Sequence, residues 1–268
     1  MTDTSFIPRK QKTLALEPAF LGALRGVWSF TWKSQLTLWR VPGLAVYVLI
    51  LPVLTYLTIG DGSTQPFFRW LLDFYFLLVL PLVCLANCGA MIRDEVQADT
   101  LAFLITRPLT RARFFLIKYL CHAAWLQIIA ALQLVLFFLA GNLRHIAEIN
   151  SLVLLLLGTQ MLAVLAWAAL GSLLGVISPK YLVLGLVYGF VVEMGIGRIP
   201  TNINSLSLIR HIHTLLGNHD ILNQIYDWSS KGTLFSIFVM LAATVLFLGL
   251  GAALFTFREY HHSEEMQK

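Results

Sequence analysis

The segment Thr233 to Phe257 contains no Asp, Glu, Lys or Arg, and neither do residues 151–177. Uncharged apolar stretches of this length constrain the fold strongly, because about 20 such residues cross the hydrocarbon core of a bilayer as one helix. With no water at that depth, a helix is the way for one segment to satisfy its own backbone N–H and C=O groups. Spans are expected at residues 41–59, 71–92, 114–140, 151–177, 181–197 and 233–257. The runs are too long and continuous for barrel strands, which would show roughly ten-residue dyad patterns. The expected class is an all-α integral membrane protein with six transmembrane helices. Residues 1–40 precede the transmembrane domain (41–257) and residues 258–268 form a tail. The composition agrees: 58% of the 268 residues are hydrophobic and 12% charged, with a mean hydropathy of +0.76.

Orientation follows from the basic residues, which concentrate in cytoplasmic loops. With the N-terminus inside, only Arg69, Arg144, Arg198, Arg210 and Lys231 of the 19 Lys and Arg fall outside. Both termini are therefore expected in the cytoplasm. This asymmetry, with anionic inner-leaflet lipid, accounts for the net charge of +5, so no nucleic-acid partner is expected. Residues 1–17 lack the apolar core of a cleavable signal, and the first span is expected to direct insertion.

Ahead of that span, Phe20, Leu24, Trp28, Trp32, Leu36 and Trp39 recur at three and four residues beside a polar stripe of Arg25, Ser29, Lys33 and Arg40. This pattern predicts an amphipathic interfacial helix, tryptophans at headgroup level and basic side chains toward anionic lipid. Pro42 suits the opening turn of the span that follows.

The 93–111 segment is the most informative loop. Asp94, Glu95 and Asp99 are expected at the N-terminal part of a short helix, Leu101, Leu104 and Ile105 on its apolar face, and Pro108 at its end. Arg107, Arg111 and Arg113 place positive charge at the membrane surface, and Thr110 is the expected N-cap of the third span. Glu95, the Thr100-Leu101 pair, Leu104, Pro108, Arg111 and then Lys118 resemble the signature of type-2 ABC exporter permeases. Asp99 stands where members of that family often carry Gly. The whole chain agrees with the resemblance, from the helix before span one to the irregular region before span six.

The resemblance implies that this loop is a coupling helix seated on a separate ATP-hydrolysing subunit. Its contacts would come from Arg93, Glu95, Asp99, Thr100, Leu101, Leu104, Arg107, Pro108 and Arg111. The chain has no G-x-x-x-x-G-K-[ST] phosphate loop, so ATP and Mg are expected on the partner. It further implies two ATPase subunits, a second permease copy or a homologous one, export, and the plasma membrane of a prokaryote. The cargo has no readable motif. An ion-coupled carrier or a membrane-embedded lipid-modifying enzyme is the alternative, but a cluster of carboxylates, His or a nucleophile with its base is not evident.

After residue 195, Gly197 and Pro200 loosen the chain, and residues 199–216 show apolar periodicity without span length. Short re-entrant helices on the outer side are expected there. Glu193 and Asn87 are polar groups at membrane depth and are expected on the substrate path. Gln127, Gln133, Thr159 and Gln160 are expected to hydrogen-bond between helices. Gly171 and Gly175 form a G-x-x-x-G pair whose partner helix, in the same chain or another, is left open. Cys84, Cys88 and Cys121 are expected to pack rather than pair. No metal site is expected from His211, His213, His219 and Asp220, whose spacing matches no recognised ligand set.

Overall fold

The computed structural model describes residues 20–35, 41–97, 110–195, 197, 202–226 and 232–257. Among these there is no strand. Helix α1 runs Phe20–Gln35 and α2 runs Val41–Thr58, with Pro42 in its opening turn. A continuous rod follows, made of α3 (Thr64–Arg69), a π-helical segment (Trp70–Val79) and α4 (Leu80–Gln97). Next come α5 (Arg111–Leu143), a 3-10 turn (Ile149–Leu152), α6 (Val153–Ile177) and α7 (Tyr181–Tyr188), which continues into a second π segment (Gly189–Gly195). A 3-10 turn (Asn202–Leu206), α8 (Leu208–Leu216), α9 (Asp220–Tyr226) and α10 (Thr233–Phe257) complete the described chain.

Among the described residues four helices are long and apolar enough to cross a bilayer: Thr64–Glu95, Arg111–Leu143, Ile149–Ile177 and Thr233–Phe257. The two other expected spans take the form of shorter apolar helices, Pro42–Thr58 and Tyr181–Gly195. The second expected span, residues 71–92, proves to be part of a much longer rod. Trp70 and Leu80 keep right-handed helical dihedrals at both joins, so no break separates α3, the π segment and α4.

Helix α6 is the hub, packed against α4, α5, α7, α8 and α10. In lipid there is no hydrophobic drive between helices, so close packing and polar contacts must hold them together. Ala163, Ala166, Ala168, Ala169, Gly171, Ser172 and Gly175 are all buried along α6, and such small residues let backbones approach. A Cβ at Gly175 would stand 2.1 Å from Gly89 O, and one at Gly171 would stand 3.0 Å from Leu85 Cα. The G-x-x-x-G pair therefore serves α4 of the same chain. Polar ties add to the packing: Gln133 Nε2 donates to Tyr47 O at 3.1 Å, and Tyr75 Oη lies 3.2 Å from Gln160 Oε1 and 3.3 Å from Ala130 O.

Helix α1 docks rather than merely lying at a surface. Trp32 meets Trp125 of α5 edge-on at 4.7 Å and Trp28 at 5.4 Å, beside Val48 and Ile129. Leu36 and Trp39 lie outside the described residues.

The end of the bundle where α4 and α6 finish and α5 begins carries Arg93, Arg111, Arg113, Lys118 and Lys180. At the far end, Arg144 follows α5 and reaches across to α2. Its Nε donates to Tyr56 O at 2.8 Å, its guanidinium pairs with Asp61 at 3.0 Å, and it lies 4.3 Å from the Tyr56 ring centroid. A cation on the carbonyls of a last helical turn also complements the helix dipole.

Candidate functional site

At the basic end, α6 closes with Ser178 N donating to Leu174 O at 3.0 Å. The next carbonyl, Gly175 O, would look to residue 179 for its N–H, but Pro179 has none. Arg93 Nε supplies the missing donor at 2.8 Å. Helix α10 is treated alike, with Arg111 Nη1 3.5 Å from Thr256 O in its last turn. Two arginines of the expected coupling set thus cap two helix C-termini of their own chain.

Glu95 is only 7% exposed and forms an ion pair with Lys118 of α5, itself 5% exposed. His122 Nδ1–H donates to Lys118 O at 2.9 Å one turn further on. The structure corrects the expected helix start: residues 93–97 form the last turn of α4, not the first turn of a separate helix. Asp94 and Glu95 therefore sit at the negative end of a dipole, and Lys118 rather than the dipole stabilises Glu95. Thr110 is the N-cap of α5, accepting from Arg113 N at 3.4 Å. Asp99, Thr100, Leu101, Leu104, Arg107 and Pro108 lie outside the described residues.

Deeper in the bundle, the Asn87 amide turns back on its own helix and donates to Val83 O at 3.0 Å. Glu193 is 4% exposed and lies about 20 Å along its helix from Lys180, at a rise of ~1.5 Å per residue. Its carboxylate serves the N-terminus of α8. Leu208 N donates to Oε1 at 3.1 Å, Ile209 N to Oε2 at 2.9 Å, and Ser207 Oγ to Oε2 at 2.6 Å. Ser207 Oγ in turn accepts from Arg210 N at 3.2 Å. The first three N–H groups of α8 are therefore satisfied by one carboxylate and one hydroxyl, as a helix end away from water requires. The spacing of Glu193 and Ser207 offered no local signal for this pairing, because fourteen positions and a chain reversal separate them.

Helix α8 buries Leu208, His211, Ile212, Leu215 and Leu216 on one face, against α6 and α10. His211 is held between Ser205 O (2.8 Å from Nε2) and Ser236 Oγ (3.0 Å from Nδ1), while His219 Nε2 lies 3.3 Å from Ser151 Oγ. The histidines thus serve separate structural contacts. Among the described residues no group of three His, Cys, Asp or Glu side chains is placed to hold a metal.

Burial pushes the His213 imidazole down to about 4 from its ordinary 6.5. The unfolded chain therefore takes up a proton at a higher pH than the folded one. Stability from this group is complete above about pH 6.5 and falls as pH drops toward 4. His213→Gln is expected to flatten that part of a melting-temperature profile. An unchanged acid slope would refute the assignment.

Between the rod and the α7 helix lies a half-open cavity of about 90 Å³, its lining including Leu77, Leu82, Leu85, Trp167, Gly189 and Glu193. Each π segment contributes wall, Leu77 and Leu78 from the first and Gly189, Phe190, Glu193 and Met194 from the second. Segments of π-helix are rare and concentrate at functional sites. A Cβ at Gly189 would meet nothing within 4 Å, so the absent side chain enlarges this space. Neither the π segments nor the cavity had a sequence signal.

The model of the family described as ABC-2 family transporter protein matches residues 32–196, from the last turn of α1 through the second π segment. The chain belongs to the ABC-2 transporter family. No curated protein and no solved structure matches it. As an ABC-2 family member the chain is a multi-pass membrane component of a transporter, and its place in that family agrees with the signature around Glu95 to Lys118. Helices α8 to α10, including the helix that Glu193 caps, lie beyond the matched residues.

Proposed function

We propose that this ABC-2 protein is the permease subunit of an ATP-driven exporter. It crosses the membrane six times, with α2 and the α7 helix as the two shorter spans, and keeps both termini in the cytoplasm of a prokaryotic cell. Two such subunits, identical or homologous, enclose the pathway, and two separate ATPase subunits bind ATP and Mg. The observation that carries the reading is the braced base of the 93–111 loop. Arg93 is bonded to α6, Glu95 to α5, and Arg111 to α10, so force applied to the loop reaches three helices through short contacts. Asp99, Thr100, Leu101, Leu104, Arg107 and Pro108 of this loop are proposed to supply the contacts with the ATPase. Rigid-body rocking of helices is the motion this bracing suits.

The cavity between the π segments is proposed as the apolar part of the path. Cargo would pass the leucine wall and Glu193, whereas Asn87 contributes through the shape of α4. Export is preferred because of the family signature.

The test is affinity purification in mild detergent from the native host, with mass spectrometry of what accompanies the chain. A stoichiometric subunit bearing a phosphate loop is expected. Arg107→Glu combined with Arg111→Glu should cut its recovery about tenfold. Recovery of the chain alone under gentle crosslinking, or an ATPase retained in full by the double variant, would reject the coupling assignment.

A further inference from the structure

We propose that the half-open cavity between the rod and the α7 helix is the seat of a phospholipid acyl chain drawn from the surrounding bilayer. Depth is the first argument for that occupant. Gly185 and Glu193, both in the lining, lie about 8 and about 20 Å along their helix from Lys180, at a rise of ~1.5 Å per residue. The hydrocarbon core is about 30 Å thick, so with Lys180 at its inner edge the cavity straddles the middle of the bilayer. The ends of acyl chains reach that level from either leaflet, whereas water and headgroups do not.

The mouth and the wall agree with this occupant. Leu78, Leu186, Phe190 and Met194 belong to the lining and are also exposed, so at this depth the cavity opens sideways toward lipid. Trp167 of α6 belongs to the same lining yet is only 2% exposed, so the space runs inward from lipid-facing side chains to the buried hub. Among the described residues that line it, Glu193 alone is charged, and its oxygens accept from Ser207 Oγ, Leu208 N and Ile209 N. The carboxylate is thus engaged by the start of α8, and the lining left to recognise an occupant is aliphatic and aromatic. A chain end lying against such a wall supplies the dispersion contacts that close packing requires. The seat does not depend on the transport reading; if the cavity is part of the path, cargo must displace this chain.

The test places the full-length protein in vesicles of phosphatidylcholine whose acyl chains carry bromine near the chain end, a contact quencher of indole fluorescence, and in the same lipid without bromine. The difference between the parent and Trp167→Phe isolates the emission of Trp167. At least a twofold loss of that emission is expected in the brominated lipid, and a smaller loss when the bromine stands near the headgroup. Gly189→Leu puts a side chain into the open space beside Gly189 and is expected to restore at least half of the lost emission, Gly189→Phe still more. Melting temperature and elution volume are checked for each variant, and the comparison of bromine positions uses neither filled variant, so misfolding of one leaves the test in force. Trp167 emission that is equal in the two lipids, or quenched equally by both bromine positions, overturns the inference. So does quenching that folded Gly189→Leu and Gly189→Phe leave unchanged, because the quenching lipid then lies around the outside of the protein. The readout needs no ATPase, so a failed permease assignment and a failed chain seat are told apart.

Discussion

Lys118→Met is expected to destabilise the protein by about 3–5 kcal/mol, the usual cost of removing one partner from a buried ion pair. Glu95 would remain 7% exposed at the base of α4 with its main counter-charge gone. Replacing both residues, Glu95→Met with Lys118→Met, is expected to recover most of the loss, because two apolar side chains leave no stranded charge. Thermal unfolding of the purified protein in detergent measures both. The comparison also separates stability from coupling: if the pair braces the loop, the double variant folds yet stimulates less ATP turnover than the parent. A Lys118→Met protein that melts with the parent would mean that Glu95 finds another partner and that the pair is not a brace.

Gly175→Leu should have the second large effect. A first side-chain atom at that position meets Gly89 O at 2.1 Å, and backbone cannot step aside as a side chain can. Overpacking typically costs about 1–3 kcal/mol and occasionally more. Here it would also pull Gly175 O from Arg93. Gly171→Leu, whose nearest obstacle is Leu85 Cα at 3.0 Å, should be less severe, and Gly158→Leu, with nothing within 4 Å, should be neutral. Yield of monodisperse protein and its melting temperature rank the three. A neutral Gly175→Leu would show that α4 and α6 do not approach as described.

Much of this was legible in the sequence, where local chemistry decides the outcome. Thr110 before a charged turn is an N-cap by composition, Pro42 fits a first helical turn, and long uncharged runs leave little choice but helix. Other features depend on what stands opposite in space. The pair Gly171 and Gly175 announced a close approach without naming α4 as its partner. The polar opening Thr64-Gln65-Pro66 hid the start of the rod, because hydropathy marks where lipid begins and not where a helix does. Glu95 looked like the start of a surface helix because acidic residues favour that place; a lysine 23 positions on reversed the reading. Glu193 was conspicuous as a charge at depth, yet its use as a helix cap required the chain to turn back upon it. The two π segments, one in the rod and one at the end of the α7 helix, left no mark in residue type.

Pro179 has a consequence for how the protein is made. A chain emerging from its N-terminus delivers Arg93 to the membrane well before Gly175. The guanidinium is therefore in place when the end of α6 arrives with a carbonyl its own helix cannot satisfy. Glu95 is in the opposite position, since it must wait through the synthesis of the whole 96–117 stretch before Lys118 appears. The interval between those residues is thus the vulnerable period of biogenesis, and slowing translation there should increase capture of the nascent chain by quality-control proteases, whereas a pause after residue 180 should not.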